Sequence, residues 1–262
     1  MRSYGSKTKN FFYFLYRLAR PVLDPIKFGS GIFGYGWFFR DVYKYKRQDK
    51  GAKIFTGDLY PVLDERVGST PFDAQYFYQQ IWCFDQIRKN IPTKEHVDIG
   101  SSYGLCGYIS LLVKTVFVDL RPISAQLDNL SIVKGSILNL PFPDHSLQSV
   151  SCLHVVEHIG LGRYGDVIDP KGAELACGEL ARVLAPGGRL YFSAPIGRAR
   201  LCFNAHRVLD PETVIRYFNG LELVSFSAVD DRGRFHLCAD HQDYRQADYS
   251  CGLFIFTKKL NS

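Results

Sequence analysis

Short apolar runs alternate with polar turns along the middle of the chain, at the spacing of strands that are followed by helices. Residues 96–99 and 115–119 have the apolar character of buried parallel strands, and residues 105–111 between them are predicted to form a helix. The pattern then predicts strands at 131–135, 149–153 and 189–194 and a helix at 173–184. This alternation indicates an α/β fold with a mostly parallel sheet.

The flanking segments continue the same pattern. An aromatic-rich helix is predicted over residues 72–90, and a second helix begins at Pro211 and ends at Phe218. Residues 221–228 and 249–257 are predicted as the last two strands, in an antiparallel hairpin. The polar stretch after Asp119 is too short for a full crossover helix, so we expect none there.

The turn after the first strand has the composition of a nucleoside site. Residues 96–104 read H-V-D-I-G-S-S-Y-G, in which Gly100 and Gly104 permit an abrupt turn into a helix. The start of a helix offers unpaired N–H groups to a ligand. The next strand ends in Asp119, which is placed to accept hydrogen bonds from two ribose hydroxyls.

The glycine spacing separates one nucleoside cofactor from another. A dinucleotide turn has the pattern Gly-x-Gly-x-x-Gly, whereas the glycines here are Gly100, Gly104 and Gly107. Asp98, at the end of the first strand, would repel a pyrophosphate but suits a ligand that carries an ammonium group. The pattern therefore favours S-adenosylmethionine over a nicotinamide dinucleotide.

These residues resemble the cofactor motif of the class I S-adenosylmethionine-dependent methyltransferases. The resemblance implies a Rossmann-like α/β fold: a mostly parallel seven-stranded sheet with an antiparallel last strand and helices on both faces. Two positions depart from the family, because Ser102 replaces a common glycine and Ser136 a common aspartate near the adenine. The cofactor-binding residues that we expect are Asp98, Gly100, Ser101, Ser102, Gly104, Asp119, Leu120, Ser136, Ile137 and His154.

A second polar cluster follows the fourth predicted strand. His154, Glu157 and His158 lie at its carboxyl end, where open α/β sheets bind ligands. The catalytic candidates are His154, His158 and His206, with Asp166 orienting one of these histidines. The acceptor-binding candidates are Glu157, Arg163, Tyr164, Arg198 and Arg207. The alternative is that the residues after strand five only fix their loop through hydrogen bonds.

The longer run around this cluster resembles a narrower family. The segments E-H-I-G-L-G-R-Y-G-D-x-I-D-P, P-I-G and F-N-A-H-R-V are similar to domain of unknown function 268, over about residues 55–262. Its members often accompany genes for surface polysaccharide or glycan assembly. The resemblance therefore implies methylation, on oxygen or nitrogen, of a sugar or glycan-related small acceptor. The alternatives are a catalytically silent adaptor in glycan or surface-polysaccharide assembly and a nicotinamide-dependent oxidoreductase.

Charge is distributed unevenly along the 262 residues, whose net charge is +6. Residues 1–53 contain twelve Lys and Arg against three acids, so the remaining chain is mildly acidic. We therefore predict a basic, aromatic extension over 1–54 and a methyltransferase-like domain over 55–262. Because the basic residues lie in that extension, we do not expect a nucleic-acid partner.

The extension admits two interpretations. Arg17, Arg20, Pro21 and Pro25 interrupt it before about 20 apolar residues accumulate, so it is not a transmembrane anchor. It is either a helix packed on the domain or an interfacial segment that contacts anionic membrane. The expected location is the cytoplasm, with peripheral contact at the inner face of the membrane as an option.

Two further residue groups shape these expectations. The seven cysteines include no Cys-x-x-Cys pair, which indicates reduced, buried thiols and no metal site. Tyr76, Phe77, Tyr78 and Trp82 in the predicted helix either cover the site as a lid or pack in the core.

Overall fold

The computed structural model describes residues 15, 16, 19, 28–51 and 53–260. The chain divides into two compact units, Met1–Phe72 and Asp73–Ser262. The predicted boundary between residues 54 and 55 falls inside the first unit. The assignment of 1–54 as an extension and 55–262 as a domain stays a prediction.

Among its described residues, the first unit contains a long helix, α1, over Phe28–Gln48, and a short 3-10 helix over Thr56–Asp58. One side of α1 packs on the segment that follows it. The guanidinium of Arg66 lies 3.6 Å from the ring centroid of Trp37 and forms an ion pair with Asp41. Within the described residues, no helix has the length and apolar character needed to cross a membrane.

The second unit is built on an eight-stranded sheet with the strand order β3-β2-β1-β4-β5-β10-β8-β9. The strands are β1 His96–Ile99, β2 Thr115–Asp119, β3 Leu130–Lys134, β4 Leu147–Leu153, β5 Leu184–Ile196, β8 Glu222–Val229, β9 Phe235–His236 and β10 Ser250–Thr257. The predicted fold class is confirmed. The count differs by one because β9 has only two residues, too few to give a pattern in sequence.

The direction of β10 decides which residues share an edge of the sheet. β1 to β5 run parallel, and β10 is inserted antiparallel between β5 and β8. The antiparallel last strand was expected. Because of its direction, β10 begins where its neighbours end, so Ser250 pairs with Ile196. A separate hairpin, β6 Arg200–Cys202 and β7 His206–Val208, follows β5.

The described part of this unit contains four α-helices: α2 Ala74–Lys89, α3 Tyr103–Ile109, α4 Gly172–Val183 and α5 Pro211–Tyr217. It also contains two short 3-10 helices, Val156–His158 and His241–Tyr244. The carboxylate of Asp73 caps α2 by accepting a hydrogen bond from Tyr76 N. Asp210 caps α5 in the same way, with Pro211 in the first turn. Residues 120–129 contain no helix, as the short spacing predicted.

Alternation along β10 divides the core into two layers. Leu253 and Ile255 point into a cluster with Trp82, Ile87 and the apolar side of α3. Phe254 and Phe256 point to the opposite face, where the apolar side of α4 covers the sheet. The helices therefore lie on both faces, as expected. Trp82 is buried in the core and is not part of a lid.

All seven cysteines are free thiols, as predicted. Five of them are buried, whereas Cys202 is half-buried and Cys238 is exposed. The expectation of burial is therefore wrong for Cys238, which lies in the irregular segment after β9 rather than in a strand or helix.

Candidate functional site

Hydrogen bonds to the side chain of Asp98 hold the turn that follows β1. Its buried carboxylate accepts hydrogen bonds from Ser101 N at 3.0 Å and from the Ser151 hydroxyl. Gly100 has φ +69°, and a Cβ there would lie 3.3 Å from the Val155 side chain. Asp98 lines neither of the cavities described below, so in this structure it supports the backbone of the turn.

A buried polar network extends beneath Asp98. His96 Nδ1 lies 2.8 Å from Ser149 Oγ, and its Nε2 lies 2.8 Å from Ser151 Oγ. Burial lowers the pKa of His96 to about 3 and raises the pKa of Asp98 to about 6. The imidazole of His96 is therefore neutral. The sequence pattern does not indicate that this histidine takes part in the network that holds the turn after β1.

The first cavity lies at the carboxyl ends of β1 and β2. Asp119 ends β2 at this cavity, and Arg121 N donates a hydrogen bond of 2.6 Å to its Oδ1. Gly135 must be small here, because a Cβ would lie 2.8 Å from Val118 Cγ1. The predicted cofactor residues that line this cavity are Gly100, Asp119, Leu120, Ser136, Ile137 and His154.

One wall of the first cavity is apolar and suits a flat aromatic base. Leu120, Ile137 and Leu138 contribute it. Ser136 uses its Oγ to accept a hydrogen bond of 3.2 Å from Leu138 N, so its hydroxyl is already engaged in the turn. A carboxylate beside an apolar wall is the combination that a nucleoside requires.

A second, more polar cavity adjoins the first. The two share Gly100, His154, His158 and Tyr164 as lining residues. The rest of the second lining consists mainly of hydroxyl, amide, imidazole, carboxyl and guanidinium side chains. These residues are Tyr76, Gln79, Gln80, Ser101, Ser102, Leu153, Glu157, Arg163, His206 and Tyr249.

His154 stands on the wall between the cavities in a left-handed conformation, with φ +55°. Its Nε2 lies 3.2 Å from Cys251 Sγ, and its Nδ1 lies 3.6 Å from Glu157 Oε1. Burial lowers the pKa of His154 to about 3. This histidine is therefore neutral at physiological pH, with both ring nitrogens facing protein atoms.

Glu157 is the most unusual group of the site. Its side chain is 1% exposed, and Oε2 is a buried oxygen without a hydrogen-bond partner. His158 Nε2 lies 3.8 Å from its Oε1. Burial raises the pKa of Glu157 to about 8, so the carboxyl is mostly protonated at neutral pH. An unpartnered buried oxygen is costly, which is typical of a functional position.

His158 is oriented by a backbone carbonyl. Its Nδ1 lies 2.7 Å from Ala205 O, and because a carbonyl only accepts, Nδ1 carries the proton. Arg163 Nη1 also donates to Ala205 O, at 2.8 Å. Burial lowers the pKa of His158, so Nε2 presents a lone pair on the side of Glu157. Of the candidate bases, this nitrogen is the best prepared to accept a proton.

Asp166 has a different neighbour from the one predicted. Its carboxylate accepts hydrogen bonds from Gly160 N at 2.7 Å and Tyr164 N at 3.2 Å rather than from a histidine ring. Although burial alone would raise the pKa of Asp166, these backbone N–H groups hold it below its ordinary value. Asp166 lines the first cavity and shapes the loop after β4.

Tyr164 is flanked by cations at the boundary between the cavities. The guanidinium carbons of Arg121 and Arg163 lie 4.3 Å and 5.1 Å from its ring centroid. His206 approaches from the β6–β7 hairpin, with its ring centroid 5.2 Å from that of Tyr249. Burial lowers the pKa of His206, and Arg163 and Arg200 add to that effect.

Four predicted site residues line neither cavity: Asp98, Gly104, Arg198 and Arg207. Arg198 is exposed and lies 3.5 Å from the carboxylate of Asp248. Arg207 donates to the carbonyls of Ile159, Glu157, Asp169 and Pro170, at 2.7, 3.4, 3.5 and 3.5 Å. These contacts match the alternative in which the residue fixes a loop.

Several residues that line the cavities are not predicted as site residues from the sequence. The pattern predicts Tyr76 only as a lid or core residue, and it gives no role to Gln79, Gln80, Arg121 or Tyr249. Tyr249 could have been found, because a residue that precedes an antiparallel strand lies at the carboxyl edge of its parallel neighbours. The described part of the chain contains no group of three His, Cys, Asp or Glu side chains that could hold a metal ion.

Part of the chain, which includes some of the loops that line the second cavity, is similar to a known family. Residues 141–260 match the family model described as Caenorhabditis protein of unknown function, DUF268. The match includes the loop after β4 and the β6–β7 hairpin. It confirms the resemblance over a shorter range than 55–262. No curated protein matches this chain significantly.

Solved structures resemble the chain in fold. A proposed sarcosine dimethylglycine methyltransferase from Galdieria sulphuraria shares 14% identity, with a TM-score of 0.51 over 70% of this chain and 86% of that one. The N-methyltransferase NodS from Bradyrhizobium japonicum, in complex with S-adenosyl-L-homocysteine, shares 16% identity over 82% and 97% of the chains, with a TM-score of 0.49. At 14% identity, the similarity to the Galdieria structure establishes the methyltransferase-like fold alone.

Proposed function

We propose that this protein transfers the methyl group of S-adenosylmethionine to a small polar acceptor, and that the acceptor is a sugar or a glycan-related compound. The observation that carries the proposal is the pair of adjoining cavities with a common wall of Gly100, His154, His158 and Tyr164. Ligands bound in two cavities that share these residues would lie next to each other. Close approach of the methyl donor and the acceptor is the main requirement for in-line transfer.

The residues of the first cavity fit the cofactor. Asp119 would hold the ribose hydroxyls, and the apolar wall with Ile137 would hold the adenine. Gly100 and the serines after it would face the methionine end of the ligand. When bound, the cofactor supplies a methyl group on a sulfonium that is already activated.

His158, in the second cavity, would be the base that takes a proton from the methyl acceptor. His158 has its Nδ1 proton fixed by Ala205 O, so Nε2 is free to accept a proton from an acceptor hydroxyl. The carboxyl group of Glu157 is largely protonated, so it can donate a hydrogen bond to the molecule that receives the methyl group. Positioning contributes most to the rate, because the base is needed only if the acceptor must lose its proton before attack.

The lining of the second cavity supports this class of acceptor. Gln79, Gln80, Tyr76 and Tyr249 offer the amides and phenols that pair with hydroxyl groups, and Arg163 can hold an anionic substituent. A ligand with many hydroxyls suits this surface better than an apolar one. The resemblance to a family that accompanies glycan genes supports the same class. The seven free thiols suit a reducing compartment, so a cytoplasmic location is part of the proposal.

The proposal is tested by replacing Asp119 with alanine. Isothermal titration should detect S-adenosylmethionine binding to the wild-type protein, and Asp119→Ala should weaken it by at least about tenfold, because two charge-assisted hydrogen bonds are lost. Asp128→Ala, which removes an exposed carboxylate from the loop after β2, is the matched control and should bind normally.

An unchanged affinity in Asp119→Ala would refute this assignment of the first cavity. Tight binding of NAD without binding of S-adenosylmethionine would favour the oxidoreductase alternative instead.

A catalytically silent adaptor is the second candidate. Ser102 and Ser136 favour it, because they depart from the residues common in the family that the sequence resembles. Both ring nitrogens of His154 face protein atoms, which also favours it. Labelled S-adenosylmethionine should transfer its methyl group to a component of a cell-extract glycan pool if the protein is an enzyme. Cofactor binding without any labelled product would establish the adaptor.

A further inference from the structure

Helix α1 has two unlike sides. Its inner side packs within the first unit, where a Cβ on Gly34 would lie 3.0 Å from Leu63 Cβ. Seven positions later, and so on the same side, Asp41 pairs with Arg66. This side is therefore occupied by residues 63–66 of the same chain.

The other side of α1 exposes large apolar groups. Ile32, Phe39 and Tyr43 recur at spacings of seven and four residues, which places them on one helical face. Their side chains are 50%, 51% and 62% exposed, and Phe33, beside them, is 83% exposed. Exposed aromatic residues grouped in this way indicate a surface that contacts another phase or molecule.

Cations lie within and along the edges of the same face. Lys44, Lys46 and Arg47 are exposed in its last turns, and Arg40 lies between Phe33 and Tyr43 around the helix. Lys and Arg can extend their charges away from an apolar surface while their stems cover it. Aromatic rings combined with cations on one helix match the interface of an anionic bilayer, where rings lie at headgroup depth.

We propose that the exposed face of α1, defined by Ile32, Phe33, Phe39 and Tyr43 with Lys44, Lys46 and Arg47, binds the surface of an anionic lipid membrane. The helix of 21 residues is about 31 Å long and lies along the surface rather than across it. Residues 1–53 contain twelve Lys and Arg against three acids, so the segment has a net positive charge that attracts an anionic membrane. This contact would bring the enzyme to acceptors that are attached to lipid or assembled at the membrane.

Co-sedimentation of the full chain with lipid vesicles tests the proposal. The protein should bind to vesicles of phosphatidylcholine that contain about one third phosphatidylserine. It should bind much more weakly to vesicles of phosphatidylcholine alone. The binding should weaken as salt screens the charges. Lys44→Gln/Lys46→Gln/Arg47→Gln should lose on the order of a hundredfold in partitioning, because each cation near an anionic surface contributes about a fivefold factor. Phe33→Ser/Phe39→Ser should also weaken the binding strongly.

The controls remove similar groups elsewhere. Lys94→Gln/Arg232→Gln/Lys259→Gln removes three exposed cations from the second unit, and Tyr108→Ser removes an exposed ring there. Both should bind vesicles like the wild type. Thermal unfolding establishes that every variant is folded, and S-adenosylmethionine titration reports on the proposed activity independently of lipid.

Three results would overturn the proposal. They are equal binding to neutral vesicles, no binding to anionic ones, and unchanged binding by the α1 variants. Light scattering adds a fourth: a dimer in solution that the phenylalanine variants abolish would identify a second copy of the chain as the occupant of this face.

Discussion

At the scale of single residues, burial sets the chemistry of the site. Glu157 and His154 are both neutral because desolvation opposes their charged forms, and they face each other with no formal ion pair at neutral pH. Sequence placed both residues at the end of β4 but could not assign their protonation. The protonation state depends on burial by distant segments of the chain. Cys251, for example, contacts His154 although 97 positions separate them in sequence.

Glu157 should make folding stability depend on pH. Its folded pKa of about 8 lies above the ordinary value of 4.5, so the stabilisation is complete below about pH 4.5 and is lost as the pH rises through about 8. Relative to Glu157→Gln, the wild type should lose roughly 3–5 kcal/mol of unfolding free energy between about pH 5 and about pH 8. Urea unfolding at several pH values measures this difference.

Glu174→Gln provides the comparison, because Glu174 is an exposed carboxylate of α4. It should follow the wild-type pH dependence. Neither substitution changes the titratable and charged groups around Glu157, which are His154, His158, Arg163, Tyr76, Tyr249, Cys152, Cys177 and Cys251. Parallel pH profiles for the wild type and Glu157→Gln would show that the carboxyl is ionised in the folded protein.

At the scale of elements, the loop between β4 and α4 is fixed by close backbone contacts. Gly160 has φ +78°, and a Cβ there would lie only 2.1 Å from Asp169 O. Arg207 and Asp166 bind other backbone groups of the same loop. The sequence showed a polar, glycine-rich loop at the correct position, whereas the reason for each glycine is a contact that forms only in the folded loop.

Gly160→Ala should therefore be more destabilising than a similar change nearby. Gly165 also has a positive φ, +83°, but no atom lies within 4 Å of a Cβ at that position. Gly165→Ala should lose about 1 kcal/mol from backbone strain alone. Gly160→Ala should lose a further 1–3 kcal/mol or so, because the methyl group displaces Asp169. Chemical denaturation measures both, and equal losses would mean that the loop relaxes freely around residue 160.

At the scale of the whole molecule, the two-layered core leaves few reactive groups at the surface. Cys83, Cys106, Cys152, Cys177 and Cys251 are buried, and burial raises the pKa of each of these thiols. Thiolates are the reactive form of cysteine, so both burial and protonation protect these five groups.

Native protein should therefore show one fast thiol in a reaction with a disulfide reagent. Cys238 should react first, Cys202 more slowly, and the five buried thiols only after unfolding in denaturant. Cys238→Ser should remove the fast phase and leave the rest unchanged. Rapid reaction of three or more thiols in the native state would contradict the packing of the core.

Some features of this protein were decided by sequence alone. The bounds of β1 and β2 and the placement of Asp119 at a strand end were predicted correctly, because strand periodicity and turn residues act over a few neighbouring positions. The same local signals indicated α4, α5 and the absence of a helix between β2 and β3.

The cavities themselves required the tertiary structure. Tyr249 reaches the second cavity because β10 runs antiparallel, and the Ala205 carbonyl orients His158 from a hairpin 47 residues away. Arg207, which looked like a ligand for an anion, is used by backbone carbonyls of another loop. Residue type and local pattern fix which groups stand at the sheet edge, but their partners and their protonation depend on which distant segments pack together and exclude water.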